Sequence, residues 1–411
     1  MGLSGTYRRT RMDNGLRVLT EAVPHVRSVS LGIWILVGSR DEAAPECGIS
    51  HFLEHALFKG THSRSAFDIA NSLESLGGSL DAFTYRDMTC YYARCLDEHL
   101  DVALDVLADM LQNSLLDPED VEKEKGVVLE EIQNVQDTPE DLIHDLFAKS
   151  VWAQHPVGEP ILGTPDAVRS LTPGSLRDYL TRQYSPDRII VAAAGCLDHD
   201  RLVDRISALF GTAAAGGFDR PRVQPLYNGG GQKHHRREIG QTHICLGATA
   251  YAYTHPRQYD LLVANTALGG GMSSRLFQHV RERLGLAYSV YSYLESLEDT
   301  GLFVTYLACD QNRASQSIEH VRSELARFRQ EGIAPEELES CKAQLRGELV
   351  LGLESMDARM GRIARKEAYT GRYHSPEEIL AAIDAVTRDG VREACWDLLN
   401  DDRMHLIQVG P

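Results

Sequence analysis

The sequence predicts an α+β fold of two duplicated halves, each a mostly antiparallel sheet packed with helices. Three observations predict it. The second half repeats the first at a constant offset of 215 residues: Ser30-Leu31-Gly32 falls on Cys245-Leu246-Gly247, Leu171-Thr172 on Val386-Thr387, Asp187-Arg188 on Asp402-Arg403 and Gly195 on Gly410. Matches this far apart on one register mark an internal duplication. Within the first half, strand-like runs neighbour one another and long helical runs stand together, which is the α+β order and not a strict βαβα alternation. Finally, a Gly/Ala/Pro-rich stretch from Gly211 to Arg237, with Gly229-Gly230-Gly231 inside it, separates the copies and reads as a linker. The expected domains are residues 1–215 and 238–411, joined by a linker at 216–237.

Each element has a local reason. Asn14-Gly15 supplies a turn, followed by strands at 16–20 and 29–36. In Gly48-Ile-Ser-His-Phe-Leu-Glu-His-Ala-Leu-Phe-Lys-Gly60, the spacing of Ile49, Phe52, Leu53, Ala56 and Leu57 predicts a helix that Lys59-Gly60 stops. A helix near 65–76 leads through Gly77-Gly78 to a strand pair around 79–83 and 89–93. Helices fill 99–149, where Asp117-Pro118 and Thr138-Pro139 give a cap followed by a first-turn proline. A helix near 173–184 precedes a fully apolar strand at 189–195.

Length and composition set bounds. At 411 residues the chain exceeds one ordinary core, and 43% hydrophobic with 25% charged residues is a globular balance. The net charge of −17 argues against nucleic acid as a partner and fits either plain solubility or attraction of basic peptides. The eight cysteines include no C-x-x-C pair and read as reduced thiols of an intracellular, cytoplasmic protein. No apolar run reaches membrane-spanning length, and Arg8, Arg9 and Arg11 precede no apolar signal region.

Chemistry concentrates in the helix at 49–57. Residues three and four apart share a helix face, so His51 and His55 point the same way with Glu54 between them. Two imidazoles supply neutral nitrogen ligands for a catalytic zinc, and the carboxylate supplies a base for its water. The order H-x-x-E-H is that of the inverzincins. The competing reading is an amphipathic helix with ordinary surface histidines. At the offset of 215 these positions hold Thr266, Gly269 and Gly270, so only one copy carries the chemistry. A catalytic zinc usually takes a third protein ligand, and Glu119, Glu122, Glu124, Glu130 and Glu131 cluster in the helix after Pro118. With about 100° per residue, Val121, Val128, Ile132 and Val135 form one stripe. Glu130 lies opposite it, whereas Glu131 and Glu124 lie at its edge. Glu131 is the expected third ligand, and Glu124 the expected partner of an imidazole or of the metal's water.

The chain resembles the pitrilysin/insulinase-type zinc peptidases, and most closely their short-chain branch, which includes the mitochondrial processing peptidase beta subunit and its bacterial relatives. The residues that carry the resemblance are His51-Phe-Leu-Glu-His55 with Phe58-Lys59-Gly60-Thr61, Glu124 and Glu131, Leu80-Asp-Ala-Phe-Thr84, Pro160-Ile-Leu-Gly163, and Ser273-Ser-Arg-Leu-Phe277 continuing to Arg281 and Tyr288. The resemblance implies one zinc per chain on His51, His55 and Glu131, with Glu54 as general base. It implies that Asp81, Ala82 and Phe83 form an edge strand that pairs with extended substrate backbone. It also implies that Arg281 and Tyr288 stabilise negative charge near the scissile carbonyl. Without the resemblance, those two read as a solvated helix arginine and a strand aromatic. Relatives often carry Asn in place of Asp81 and a basic residue in place of Glu159.

The implied function is zinc-dependent endoproteolysis of unfolded peptides or oligopeptides by metal-activated water. The implied assembly is a homodimer whose sites are completed across chains, because 411 residues supply half the domains of the long relatives. The alternative is a non-catalytic structural or partner subunit of a larger complex, a role that goes with degraded metal motifs. Here the motif is intact.

Overall fold

The computed structural model describes residues 5–213, 222–227 and 229–411; the start of the expected linker, 216–221, lies outside the described residues. The first half runs β1 (Thr6–Arg11), β2 (Arg17–Ala22), β3 (Ser28–Ile35), α1 (Ile49–Ala56), α2 (Ala66–Glu74), β4 (Ser79–Thr84) and β5 (Thr89–Leu96). It continues with α3 (Leu100–Asn113), α4 (Pro118–Asp137), α5 (Pro139–Val151), α6 (Pro165–Ser170), α7 (Pro173–Gln183), β6 (Ile189–Gly195) and α8 (His199–Phe210). The second half runs β7 (Gly231–Arg236), β8 (Thr242–Ala250), α9 (Gln258–Gly269), β9 (Ser289–Ser296) and β10 (Gly301–Cys309). It closes with α10 (Ala314–Glu331), α11 (Pro335–Gly352), α12 (Met356–Thr370), α13 (Pro376–Asp384), α14 (Arg388–Leu398) and β11 (His405–Gly410).

The strand orders establish the duplication. One sheet has the order β1-β2-β6-β3-β5-β4, with β2 and β6 parallel and the other pairs antiparallel. The other has β7-β11-β8-β10-β9, with β7 and β11 parallel and the rest antiparallel. Remove β1 and the two are the same topology.

The compact units differ from the expected contiguous domains. One unit comprises Met1–Gln133, Glu159–Arg222 and Val350–Pro376; the other comprises Asn134–Gly158, Val223–Leu349 and Glu377–Pro411. The halves exchange a helix, and burial explains why. In the first unit, Leu31 and Ile33 of the sheet pack with Phe52 of α1, Leu107 of α3 and Ile206 of α8. The opposite face presents Trp34, Ile190 and Ala192, which are covered by Met360, Ile363 and Ala364 of α12 from the second half. In the second unit, Leu246 and Phe303 pack with Leu261 of α9, Val321 of α10 and Val391 of α14. There the opposite face, with Cys245, Val304 and Ile407, is covered by Ile143, Phe147 and Val151 of α5 from the first half. Burial on both faces is why β6 is an uninterrupted Ile-Ile-Val-Ala-Ala-Ala-Gly run.

Polar contacts hold both exchanged helices. On α12, Arg359 and Arg362 both bind the carboxylate of Glu21, which is 0% exposed, while Glu367 binds Arg9 at 2.8 Å. A buried carboxylate is tolerable only with such pairing. On α5, His144 Nδ1 lies 2.8 Å from Tyr293 Oη, and just beyond its end Trp152 Nε1 donates to Thr300 Oγ1 at 3.3 Å.

Two strands fall outside the sequence expectation. β1 (Thr-Tyr-Arg-Arg-Thr-Arg) is not among the expected strands. β7 (Gly-Gln-Lys-His-His-Arg) lies within the stretch read as linker, so 231–236 belongs to the second sheet. Both are largely exposed outer strands without apolar alternation. Among the described residues no helix is long and apolar enough to cross a membrane. All eight cysteines are free thiols, and all but Cys196 are buried.

Candidate active site

The site is built on α1, which begins at a glycine for a steric reason. Gly48 has φ +94°, and a Cβ there would stand 2.7 Å from Leu162 O and Gly163 Cα. Ile49, Phe52, Leu53 and Ala56 bury one face of the helix. His51, Glu54 and His55 are left on the other, each partly exposed. The two imidazole centroids are 4.6 Å apart, and one ligand atom from each of the three residues lies within 4.8 Å of the others.

Helix α4 brings two carboxylates to this cluster. Val121, Val128 and Ile132 bury its apolar stripe; Glu124 is 3% exposed, Glu131 is half-buried and Glu130 is exposed. Glu131 Oε2 lies 3.8 Å from His51 Nε2 and 3.6 Å from His55 Nε2. That oxygen is buried without a hydrogen-bond partner, as is His51 Nδ1. A buried carboxylate oxygen left unpaired is costly, so it marks a position where something else binds. The gaps suit a metal: two ligands of a tetrahedral zinc, each about 2.05 Å from it, stand about 3.4 Å apart. The donor set of two nitrogens and one carboxylate oxygen is also a catalytic zinc set.

The electrostatics agree with that chemistry. Burial, with His55 adding to it, pushes the His51 imidazole down to about 4, which keeps the ring neutral as a metal ligand must be. His55 Nδ1 is 2.8 Å from Glu124 Oε1, which turns Nε2 toward Glu131; the other oxygen of Glu124 binds Lys59 Nζ at 2.7 Å. Burial raises the Glu54 carboxyl above the ordinary carboxylate range, opposed by a 2.5 Å hydrogen bond that Thr84 Oγ1 donates to Oε2. A carboxyl group tuned upward beside two imidazoles suits proton transfer.

Thr84 belongs to β4, the outermost strand of the sheet, so the base and the strand edge are tied together. On that strand Asp81 is exposed. Its Oδ1 accepts from the N–H of Ala82 at 2.8 Å, and Tyr92 Oη donates to Oδ2 at 3.3 Å. Ala82 and Phe83 are half-buried, and Phe83 meets Trp34 edge-on at 5.4 Å. Arg281 and Tyr288 belong to the other unit. Arg281 is exposed in a π-helical turn, Phe277–Arg283, its guanidinium 4.6 Å from the Phe277 ring centre. Tyr288 is 57% exposed and donates to Asp310 Oδ1 at 3.1 Å, which raises its hydroxyl pKa.

The first unit therefore brings together His51, Glu54, His55, Glu124 and Glu131, and ties β4 to them through Thr84. Sequence reasoning missed Thr84 and Lys59 as parts of the site. Lys59 was visible as a helix-stop signal and within Phe58-Lys59-Gly60-Thr61, and Thr84 as the last residue of Leu80-Asp-Ala-Phe-Thr84, neither with a role at the site.

The model of the insulinase peptidases, family M16, matches residues 17–165, and that of the M16 inactive domain matches residues 170–345. An uncharacterized zinc protease of Streptomyces coelicolor is 44% identical over 99% of this chain and 90% of its own length. The uncharacterized zinc protease YmxG of Bacillus subtilis is 42% identical over 96% of each chain. The crystal structure of a protease from Helicobacter pylori superposes with a TM-score of 0.92 at 20% identity, covering 99% of this chain and 100% of that one. A peptidase M16 inactive domain from Pseudomonas fluorescens also gives 0.92, at 21% identity over 99% and 98%.

Proposed function

The chain belongs to the insulinase-type peptidases of family M16, and on that premise we propose that it is a zinc-dependent endopeptidase acting on unfolded, extended peptides. The observation that carries the reading is the buried, partnerless Glu131 oxygen facing Nε2 of both His51 and His55. These three residues would hold one zinc per chain. When bound, the metal supplies Lewis acidity toward a peptide carbonyl and toward water.

The chain's own residues do the rest. Glu54 takes a proton from the attacking water and delivers it to the leaving amine. Thr84 fixes one oxygen of Glu54, which leaves the other free for the proton. Glu124 orients His55, and Lys59 holds Glu124 in place. The edge of β4 at Asp81, Ala82 and Phe83 pairs with extended substrate backbone, which gives affinity with little sequence demand. Arg281 and Tyr288 stabilise developing negative charge at the zinc site of a second, identical chain, in a cytoplasmic homodimer related by a twofold axis. The match of residues 170–345 to an inactive domain fits this division, because that half lacks the metal residues.

Digestion of an unfolded peptide library, with and without a chelator, tests the activity. The proposal expects chelator-sensitive cleavage and resistance of a tightly folded, loop-free substrate; equal rates on both substrates would contradict it. Mixing Glu54→Gln chains with chains carrying Arg281→Ala and Tyr288→Phe tests the shared site. Random assortment of complementary chains returns roughly a quarter of wild-type activity. No recovery, with chain exchange verified, would refute sharing.

A further inference from the structure

Both histidines sit on a helix of eight residues, too short to define its own orientation. The residue at its N-cap is Gly48, which has no side chain to bind the free first-turn N–H groups. Two of those donors are met from outside the helix. Glu42, 3% exposed, accepts from Gly48 N through Oε2 at 2.6 Å and from Ser50 N through Oε1 at 2.9 Å. Ser50 is directly followed by His51. The hydroxyl of Ser50 lies 2.7 Å from Tyr179 Oη, and Tyr179 is fully buried.

The loop that carries Glu42 is itself immobilised. Asp41 accepts Arg222 Nε at 2.9 Å and another guanidinium nitrogen of Arg222 at 2.7 Å, and also accepts Gly38 N at 3.0 Å. Arg40 pairs with Asp87 at 2.9 Å, both side chains being 1% exposed. A rigid platform thus ends in a carboxyl group that grips the start of the metal helix with both oxygens.

We propose that Glu42 is a positioning residue for the metal centre, setting the direction in which His51 and His55 present Nε2 to Glu131. The inference rests on the assignment of His51, His55 and Glu131 as ligands. A merely structural Glu42 would contribute stability, and its loss would lower the folded fraction without changing the metal affinity of what remains folded. A positioning Glu42 changes the affinity itself.

The experiment titrates metal-free protein with Co²⁺, well below the unfolding midpoint, and reads visible absorption and affinity. The variants are Glu42→Gln, which replaces one acceptor oxygen by a donor, and Glu42→Asp, which withdraws both oxygens by one methylene. Ile206→Ala, in the fully buried core of α8, is the control for destabilisation alone. Loss of an orienting partner typically weakens metal binding 10–100-fold, so about that loss and an altered spectrum are expected for both Glu42 variants, with wild-type values for Ile206→Ala. Wild-type affinity and spectrum in either folded Glu42 variant overturn the inference. His51→Ala separates the two levels: if it binds Co²⁺ like wild type, the ligand assignment has failed; if it loses binding, that assignment holds and the Glu42 variants alone decide the positioning role.

Discussion

The buried faces of α1 and α9 match when Phe52, Leu53 and Ala56 are set on Val263, Ala264 and Ala267, an offset of 211 and not 215, which places Leu262, Asn265 and Thr266 at the positions of His51, Glu54 and His55. The two helices stand at equivalent places in equivalent sheets, and the space beside them is used in opposite ways. In the first unit, Glu54 spans from α1 to β4 and meets Thr84 side chain to side chain. In the second, α9 lies directly against β9: a Cβ on Gly269 would stand 2.2 Å from Ser292 N. In the strand register Ser292 stands where Leu80 does and Ser296 where Thr84 does, so this close approach lies further along the strand than the Glu54–Thr84 contact. The supporting helix follows suit: α4 and α11 both begin at a proline, Pro118 and Pro335, and Val121 and Val128 match Leu338 and Leu345, so Glu124 corresponds to Cys341 and Glu131 to Glu348. Cys341 is a buried thiol, and Glu348 is exposed and accepts from Gln344 Nε2 at 2.9 Å. The duplicated topology constrains strand order and core, and leaves the helix faces at one end of the sheet free to hold either a metal centre or tight packing.

Substitutions can break this comparison. The largest effect is expected at Glu131→Gln, which should strip zinc and activity together, whereas Glu130→Gln, on the exposed face of α4, should keep both; equal zinc contents would refute the role given to Glu131. Next comes Glu124→Gln, with metal affinity lowered about 10–100-fold because His55 loses its orienting carboxylate; isothermal titration of the metal-free protein reads it. In the second unit, Gly269→Ala should leave zinc binding intact and destabilise by about 1–3 kcal/mol through overpacking against β9, read by thermal unfolding. An unchanged melting temperature there would mean that the close approach of α9 to β9 is not what excludes side chains. The smallest effect is expected at Lys59→Met, which leaves the Glu124–His55 contact in place and removes only the outer charge. Its metal affinity should fall less than that of Glu124→Gln.

Much of this was legible in the sequence where short-range periodicity decides. The i, i+4 placement of His51 and His55 and the phase of Glu131 on α4 follow from 3.6 residues per turn. The strand at β6 was legible because burial on both faces demands an apolar run. β1 and β7 were not, since exposed outer strands rich in arginine, lysine and histidine lack alternation. Nor was the exchange of α5 and α12, because an apolar helix face does not say which sheet it covers. Thr84, Lys59 and Glu42 escaped for a related reason: each acts through a contact made only when separate elements meet.

The central claim is that one half holds a zinc centre in which His51, His55 and Glu131 bind the metal and Glu54 moves the proton. The measurement that tests it most directly is paired zinc content and turnover of Glu54→Gln. The account predicts about one zinc per chain, as in wild type, with turnover lowered on the order of 10²-fold or more. Zinc lost together with activity would make Glu54 a ligand, and full turnover would remove it from the chemistry; either result contradicts the account.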